Sequence, residues 1–250
     1  MNVPDVSLVD AHPPGTGEPL RVMTYNIHSC VGSDRRYDPE RILAILREVD
    51  ADIIALQEVG GFMHGELEQA HFFERKLDMR AVIGHNRYRS NISFGNVLLV
   101  RKDIEIEDMS LIDLSVVPFE RRGAIDCVLQ TRIGSIRTIA THLGLLVRER
   151  RKQIEIIANR LLERPQPTTL ILGDFNIFGP ERRRLRRIGA PQVLPKLYSF
   201  PARRPLMSLD RIWSIPNDSL VRLDRYRTPL SRVASDHLPL VGVVEAPDGL

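Results

Sequence analysis

The chain has 250 residues, 43% hydrophobic and 27% charged, which is ordinary globular composition and enough for one sizeable core. Two cysteines, Cys30 and Cys127, exclude a disulfide framework, and no Cys/His spacing suits a zinc module. The net charge of +3 becomes +6 once the first 20 residues, with three acids and no Lys or Arg, are set aside; this excess permits an anionic partner without requiring one.

Residues 1–20 carry four prolines and two glycines without periodicity, and they are expected to form a flexible tail ahead of a single domain over 21–250. Gly15-Thr16-Gly17 is not a nucleotide loop, because Leu20 stands where the next glycine belongs and no strand precedes it. No apolar run approaches the roughly 20 residues of a membrane span. The N-terminus also lacks a basic start followed by an apolar stretch, so a cytoplasmic protein is expected; a monomer is assumed.

Arg21–Asn26 alternates as a first strand and ends at Asn26. Asp38-Pro39-Glu40 opens a helix whose stripe is Ile42, Leu43, Ile45, Leu46 and Val49. Asp52–Gln57 reads as a buried strand that delivers Glu58 at its carboxyl end. A helix over Gly65–Met79 and strands at Ala81–Gly84 and Asn96–Arg101 follow, with a polar, basic segment between those strands. Ile104–Leu111, Ala124–Gln130 and Ile136–Thr141 are further strands, the last two a hairpin through Gly134-Ser135 that ends at His142.

Val147–Glu163 is the clearest helix, with Ile154, Ile157, Ala158, Leu161 and Leu162 inward and Arg148, Arg150, Arg151 and Lys152 outward. Thr168–Leu172 is a central strand, and Gly173 removes the side chain where the backbone turns into Asp174-Phe175-Asn176. Two residues apart, Asp174 and Asn176 either converge on one point or form an Asx-turn that caps the strand. Pro180-Glu181 can open a short helix; its arginines would pair at i,i+4, Arg183 with Arg187, while Leu185 and Ile188 point inward. Asp210–Ile215, Leu220–Tyr226 and Pro239–Glu245 complete the strands, with Ser235-Asp236-His237 just before the last. Such alternation, with several hairpin-like neighbours, predicts a layered α/β sandwich.

The candidate residues Asn26, Glu58, His142, Asp174, Asn176, Asp210, Asp236 and His237 all fall at strand ends. Oxygen donors without thiolates select a hard cation, Mg²⁺ or Mn²⁺, and such a site suits a phosphate ester. Hydrolysis there needs charge stabilisation, an aligned water and a proton source, and this set can supply all three. No G-x-S-x-G, G-x-x-x-x-G-K-[ST] or H-E-x-x-H motif competes.

In order, Tyr25-Asn26, Leu56-Gln57-Glu58-Val59, Thr141-His142-Leu143-Gly144, Gly173-Asp174-Phe175-Asn176, Asp210-Arg211-Ile212 and Ser235-Asp236-His237 resemble the endonuclease/exonuclease/phosphatase superfamily over about residues 21–244. The resemblance implies an α+β four-layer sandwich of two mainly antiparallel sheets flanked by helices, as in deoxyribonuclease I. It implies that Glu58 ligates the metal with help from Asn26 and Asp236, and that Asp174 activates water beside Asn176. His237, paired with Asp210, would stabilise the transition state, and His142 would donate to the leaving oxygen.

His28 and Ile177-Phe178 depart from the abasic-site endonucleases, and Ser208-Leu209 departs from the inositol phosphatases. The pattern is closest to the small bacterial members. Asn96 stands where deoxyribonuclease I places a carboxylate behind its histidine; a neutral amide would hold His142 less firmly in its cationic form. Asn96, Arg183 and Arg187 complete the expected substrate-side residues. The leading expectation is a phosphodiesterase on DNA or RNA, with a hydrolase of small or lipid phosphates, or a silent binding protein, as alternatives.

Overall fold

The structure is a computed structural model and describes residues 17–61, 68–89, 92–191 and 195–246. The first half runs β1 (Leu20–Asn26), α1 (Pro39–Val49), β2 (Ile53–Gly61), α2 (Glu68–Leu77), β3 (Met79–Arg89), β4 (Ile92–Arg101), β5 (Glu105–Asp113), β6 (Gly123–Thr131) and β7 (Gly134–His142). It continues through α3 (Val147–Glu163), β8 (Thr168–Asp174), a 3-10 segment (Gly179–Ile188), β9 (Asp210–Ile215), β10 (Leu220–Arg225), α4 (Ser231–Ala234) and β11 (Leu240–Val244). No helix among the described residues is long and apolar enough to cross a membrane.

The strands form two sheets, β10-β11-β1-β2-β4-β3 and β5-β6-β7-β8-β9. Each is antiparallel except for one parallel pair, β1 with β2 and β7 with β8. Strand alternation then builds three cores. Leu20 and Val22 of β1, Leu170 and Leu172 of β8 and Ile212 of β9 meet between the sheets. Met23 and Tyr25 face α1 and α2. Ile171 and Trp213 face α3 and the 3-10 segment. Three apolar layers between four layers of elements make the four-layer sandwich that the family resemblance implies.

Local chemistry explains the main elements. The Asp38 carboxylate accepts from the amides of Glu40 (3.1 Å) and Arg41 (3.3 Å), which caps α1 ahead of Pro39. Gly173 has φ +146°, and a Cβ there would lie 1.9 Å from the Thr141 carbonyl oxygen, so β8 approaches β7 only through a glycine.

Several expectations need correction. β3 and β4 continue pairing into the polar, basic stretch, from His85 with Gly95 to Arg89 with Ile92, because ladder hydrogen bonds are made by the backbone. Residues 65–67 and the tail up to residue 16 lie outside the described residues, and Met79 begins β3 rather than ending α2. Leu162 is 82% exposed, since it sits just past the buried arc of α3. Arg150 is buried rather than outward, because its guanidinium reaches across to Glu181 at 2.5 Å and ties α3 to the 3-10 segment. That segment has three residues per turn, so i,i+3 pairs share a face, and the expected pairing of Arg183 with Arg187 fails. Leu185 and Ile188, three apart, do point inward.

Candidate active site

β7, β8 and β9 are in register so that His142 lies beside Asp174 and Asp174 beside Asp210, one row across three strands. Asp174 shares the parity of Leu170 and Leu172, so the row crowns the core between the sheets. From the facing sheet, Asn26 ends β1 and Glu58 rises from β2.

Glu58 is not past the end of its strand, as its sequence position suggests, but inside it. The β2–β4 register slips between Leu56 and Val59, leaving Gln57 and Glu58 together opposite Asn96. This is a β-bulge, a device that re-aims one side chain. Glu58 sits at φ 55°, a left-handed conformation unfavourable for a non-glycine residue. Ser29 Oγ holds its carbonyl at 3.0 Å, and Gln69 of α2 accepts from the Gly60 amide at 2.9 Å.

The side chains converge on Asp174, which is 1% exposed. The Asn26 amide donates to Asp174 Oδ2 and to Glu58 Oε1, each at 3.1 Å. His142 Nε2 and His237 Nε2 stand 3.6 and 3.7 Å from the same Asp174 oxygen. The other oxygen accepts from the Asn176 amide at 2.9 Å, with Asn176 at φ 51°, so the Asx-turn and the convergence coexist. Asn176 Nδ2 donates to the Leu143 carbonyl (2.9 Å) and stands 3.1 Å from His142 Nε2, so it braces that histidine. Gly144 lies beside it because a Cβ would fall 1.8 Å from the buried Glu149 carboxyl.

His237 Nδ1 meets Asp210 Oδ2 at 2.8 Å, and Phe200 packs on the ring at 4.9 Å between centroids. Burial works against the charged ring, but the carboxylates of Asp210, Asp174 and Asp236 and the Asp210 hydrogen bond outweigh it and raise the pKa to about 10. Ser235 Oγ donates to the Asn26 carbonyl at 2.8 Å, which locks the Ser-Asp-His turn to the end of β1. Asp236 leans toward His28, 3.9 Å from Nδ1.

Two expectations change here. Asn96 is 1% exposed and spends its amide on the Gly123 carbonyl at 2.9 Å, so it holds the start of β6 and is not open to substrate. The group facing His142 Nδ1 is Arg122, with Nη1 at 3.2 Å. Arginine can only donate, and the Asn176 Nδ2 group facing Nε2 can only donate too, so the two contacts cannot both be hydrogen bonds to a ring that carries a proton; Asp174 Oδ2, 3.6 Å from Nε2, is the acceptor on that side. Arg122 sits in irregular chain before β6 and carries no motif, so nothing in the sequence marked it. Arg183 and Arg187 are both exposed on the 3-10 segment, outside this cluster.

Among the described residues, every ion pair of Glu58, Asp174, Asp210 and Asp236 is with a histidine, none with Lys or Arg. Asp210 Oδ1 is buried without a hydrogen-bond partner. Asp174, Asp210 and His237 place ligand atoms within 4.8 Å of one another and could hold a metal ion; Glu58 and Asp236 lie outside that group. Clustered carboxylates without a Lys or Arg partner among the described residues, at a site free of thiolates, fit a hard divalent cation.

The sequence profile described as the Endonuclease/Exonuclease/phosphatase family matches residues 23–237. An uncharacterized protein of Escherichia coli K12, YbhP, is 29% identical over 241 residues, covering 88% of this chain and 94% of that protein. An endonuclease/exonuclease/phosphatase structure from Beutenbergia cavernae is similar in fold, with a TM-score of 0.71 at 20% identity over 92% of this chain and 72% of that one. A mannosyl-6-phosphatase from Bacteroides thetaiotaomicron gives a TM-score of 0.69 at 18% identity, over 90% of this chain and 99% of that one.

Proposed function

Since the chain belongs to the endonuclease/exonuclease/phosphatase family, we propose that it is a Mg²⁺-dependent phosphodiesterase whose substrate is nucleic acid. The observation that carries this reading is Asp174 Oδ2, which faces Asn26, His142 and His237 within 3.7 Å. One carboxylate oxygen between an amide and two imidazoles marks the place where a water and a phosphate would meet.

Glu58, with Asn26 and Asp236, would hold the cation. When bound, the cation supplies positive charge to the nonbridging phosphate oxygens. The other steps belong to the chain. Asp174 orients the attacking water and takes its proton. His237, kept as imidazolium by Asp210, has no lone pair to serve as base; it donates to a nonbridging oxygen as charge builds there. His142 donates to the leaving oxygen, with the Arg122 guanidinium 3.2 Å from its Nδ1.

The test is hydrolysis of bis-(p-nitrophenyl) phosphate beside the corresponding monoester. Faster turnover of the diester is expected. Preference for the monoester would move the reading to a phosphatase, the second reading that the sugar-phosphate phosphatase among the structural neighbours motivates.

A further inference from the structure

Three arginines are buried among the described residues: Arg137, Arg150 and Arg211. Arg137 is paired with Asp126 at 2.7 Å and Arg150 with Glu181 at 2.5 Å. Arg211 has no such acid. Its donors go to Ser208 Oγ (3.0 Å), the Ser208 carbonyl (2.7 Å) and the Ile177 carbonyl (3.3 Å), while Nε is buried without a partner. The neighbouring Asp210 carboxylate is already bonded to His237. A buried guanidinium held only by neutral groups is an unbalanced charge.

Arg211 lines a cavity of about 500 Å³ between the 3-10 segment and the chain leading into β9. Arg182, Arg183 and Lys196 line it too, and no carboxylate does among the described residues. Burial first, and then the nearby Arg182, push the Arg211 pKa down to about 10, as expected for a cation crowded by cations. Phe178 and Tyr198 also line the cavity, with 58% and 40% of their surface exposed.

The cavity adjoins the cluster through the chain itself. Arg211 follows Asp210, and the Ile177 carbonyl that Arg211 grips follows Asn176. Asp210 faces the core between the sheets; Arg211, of opposite parity, faces the outer layer with Trp213.

We infer that this cavity is a second phosphate site, which seats a phosphate of a single nucleic-acid strand beyond the one cleaved and stacks its base on Phe178 and Tyr198. Four cations and two aromatic rings match the alternating charge and ring of a single strand, whereas an acyl chain offers neither. The identity of the ligand rests on the phosphodiesterase reading. The inference also revises which arginines matter: Arg182, Arg183 and Lys196 face the cavity, and Arg187 does not line it.

The experiment is equilibrium anisotropy of a fluorescein-labelled oligothymidylate in EDTA between 50 and 200 mM NaCl, for the wild type and the double variant Arg182→Gln/Lys196→Gln. Both side chains are exposed, so the fold is expected to survive. Weakening the one phosphate contact in the cavity should flatten the slope of log K against log salt by up to about 0.7. Affinity at 50 mM should fall about tenfold, with bis-(p-nitrophenyl) phosphate hydrolysis within about twofold of wild type. Phe178→Ala should weaken binding with the slope unchanged. An unchanged slope and affinity in the double variant would overturn the cavity assignment and leave the phosphodiesterase standing. A wild type that binds through the cavity but hydrolyses no diester would instead overturn the reading it rests on. Displacement of the oligothymidylate by a short-chain phosphatidic acid more readily than by unlabelled oligothymidylate would overturn the choice of a nucleic-acid strand.

Discussion

Strand β2 has one acid just before it, Asp52, and one at its bulge, Glu58, and the two have opposite surroundings. Asp52, just before the strand, accepts from both terminal nitrogens of Arg132 at 3.0 and 2.7 Å and from the Arg21 amide at 2.7 Å, which pins the first sheet to the β6–β7 turn. Among the described residues, the Glu58 carboxylate, inside the bulge, meets the Asn26 amide at 3.1 Å and His142 at 4.0 Å. The contrast extends across the molecule. Asp126 lies between Arg137 and Arg160, whereas among the described residues the ion pairs of Asp174 and Asp210 are with imidazoles. Where arginine neutralises a buried carboxylate, the pair joins elements; where it does not, the carboxylates remain available to a cation and a reacting phosphate. Backbone strain does not follow this division alone: Glu58, Asn176, His28, Ser29 and Cys30 have positive φ near the site, but so do Asp50 and Asp78, which pair with Arg101 and Lys102 away from it.

The division can be broken from either side. Asp174→Asn keeps the shape but removes the proton acceptor, so diester turnover should fall about 10²- to 10⁴-fold with the thermal midpoint retained. A midpoint that drops as far as activity does would make Asp174 structural. Arg137→Met should do the reverse: removing one partner of a buried pair costs about 3–5 kcal/mol in denaturant unfolding, while turnover per folded molecule stays at the wild-type value.

A subtler test uses His237 in metal-free protein. Its folded pKa is raised, so the stability it contributes is fully present below the ordinary value near 6.5 and is lost as pH rises through about 10. The midpoint in EDTA should therefore decline between pH 7 and 10. His237→Gln should remove that part of the decline. Parallel profiles for the two proteins would show that the pairing with Asp210 is not charged.

Much of this was legible in the sequence because motif and element coincide. Asp38-Pro39, Gly173 and the end of β7 at His142 each encode a local backbone event, and residue parity then fixes the face. What the sequence hid depends on contacts between distant segments. Arg150 reads as a surface helix residue until Glu181 is placed beside it. The 3-10 period of Gly179–Ile188 replaces the helical pairing of Arg183 with Arg187 because three residues per turn set a different face. Asp52 and Glu58 look alike as strand-flanking acids; only the arrival of Arg132 at one end and the bulge at the other separates them.

The most direct measurement is bis-(p-nitrophenyl) phosphate hydrolysis by the wild type, Glu58→Gln and Asp52→Asn, each in EDTA and again after Mg²⁺ is restored. The account expects no wild-type turnover in EDTA and full recovery with Mg²⁺. Glu58→Gln should stay inactive in both, and Asp52→Asn should recover like the wild type despite a lower melting temperature. Equal wild-type rates in EDTA and Mg²⁺, or recovery of Glu58→Gln to the wild-type rate, would contradict it.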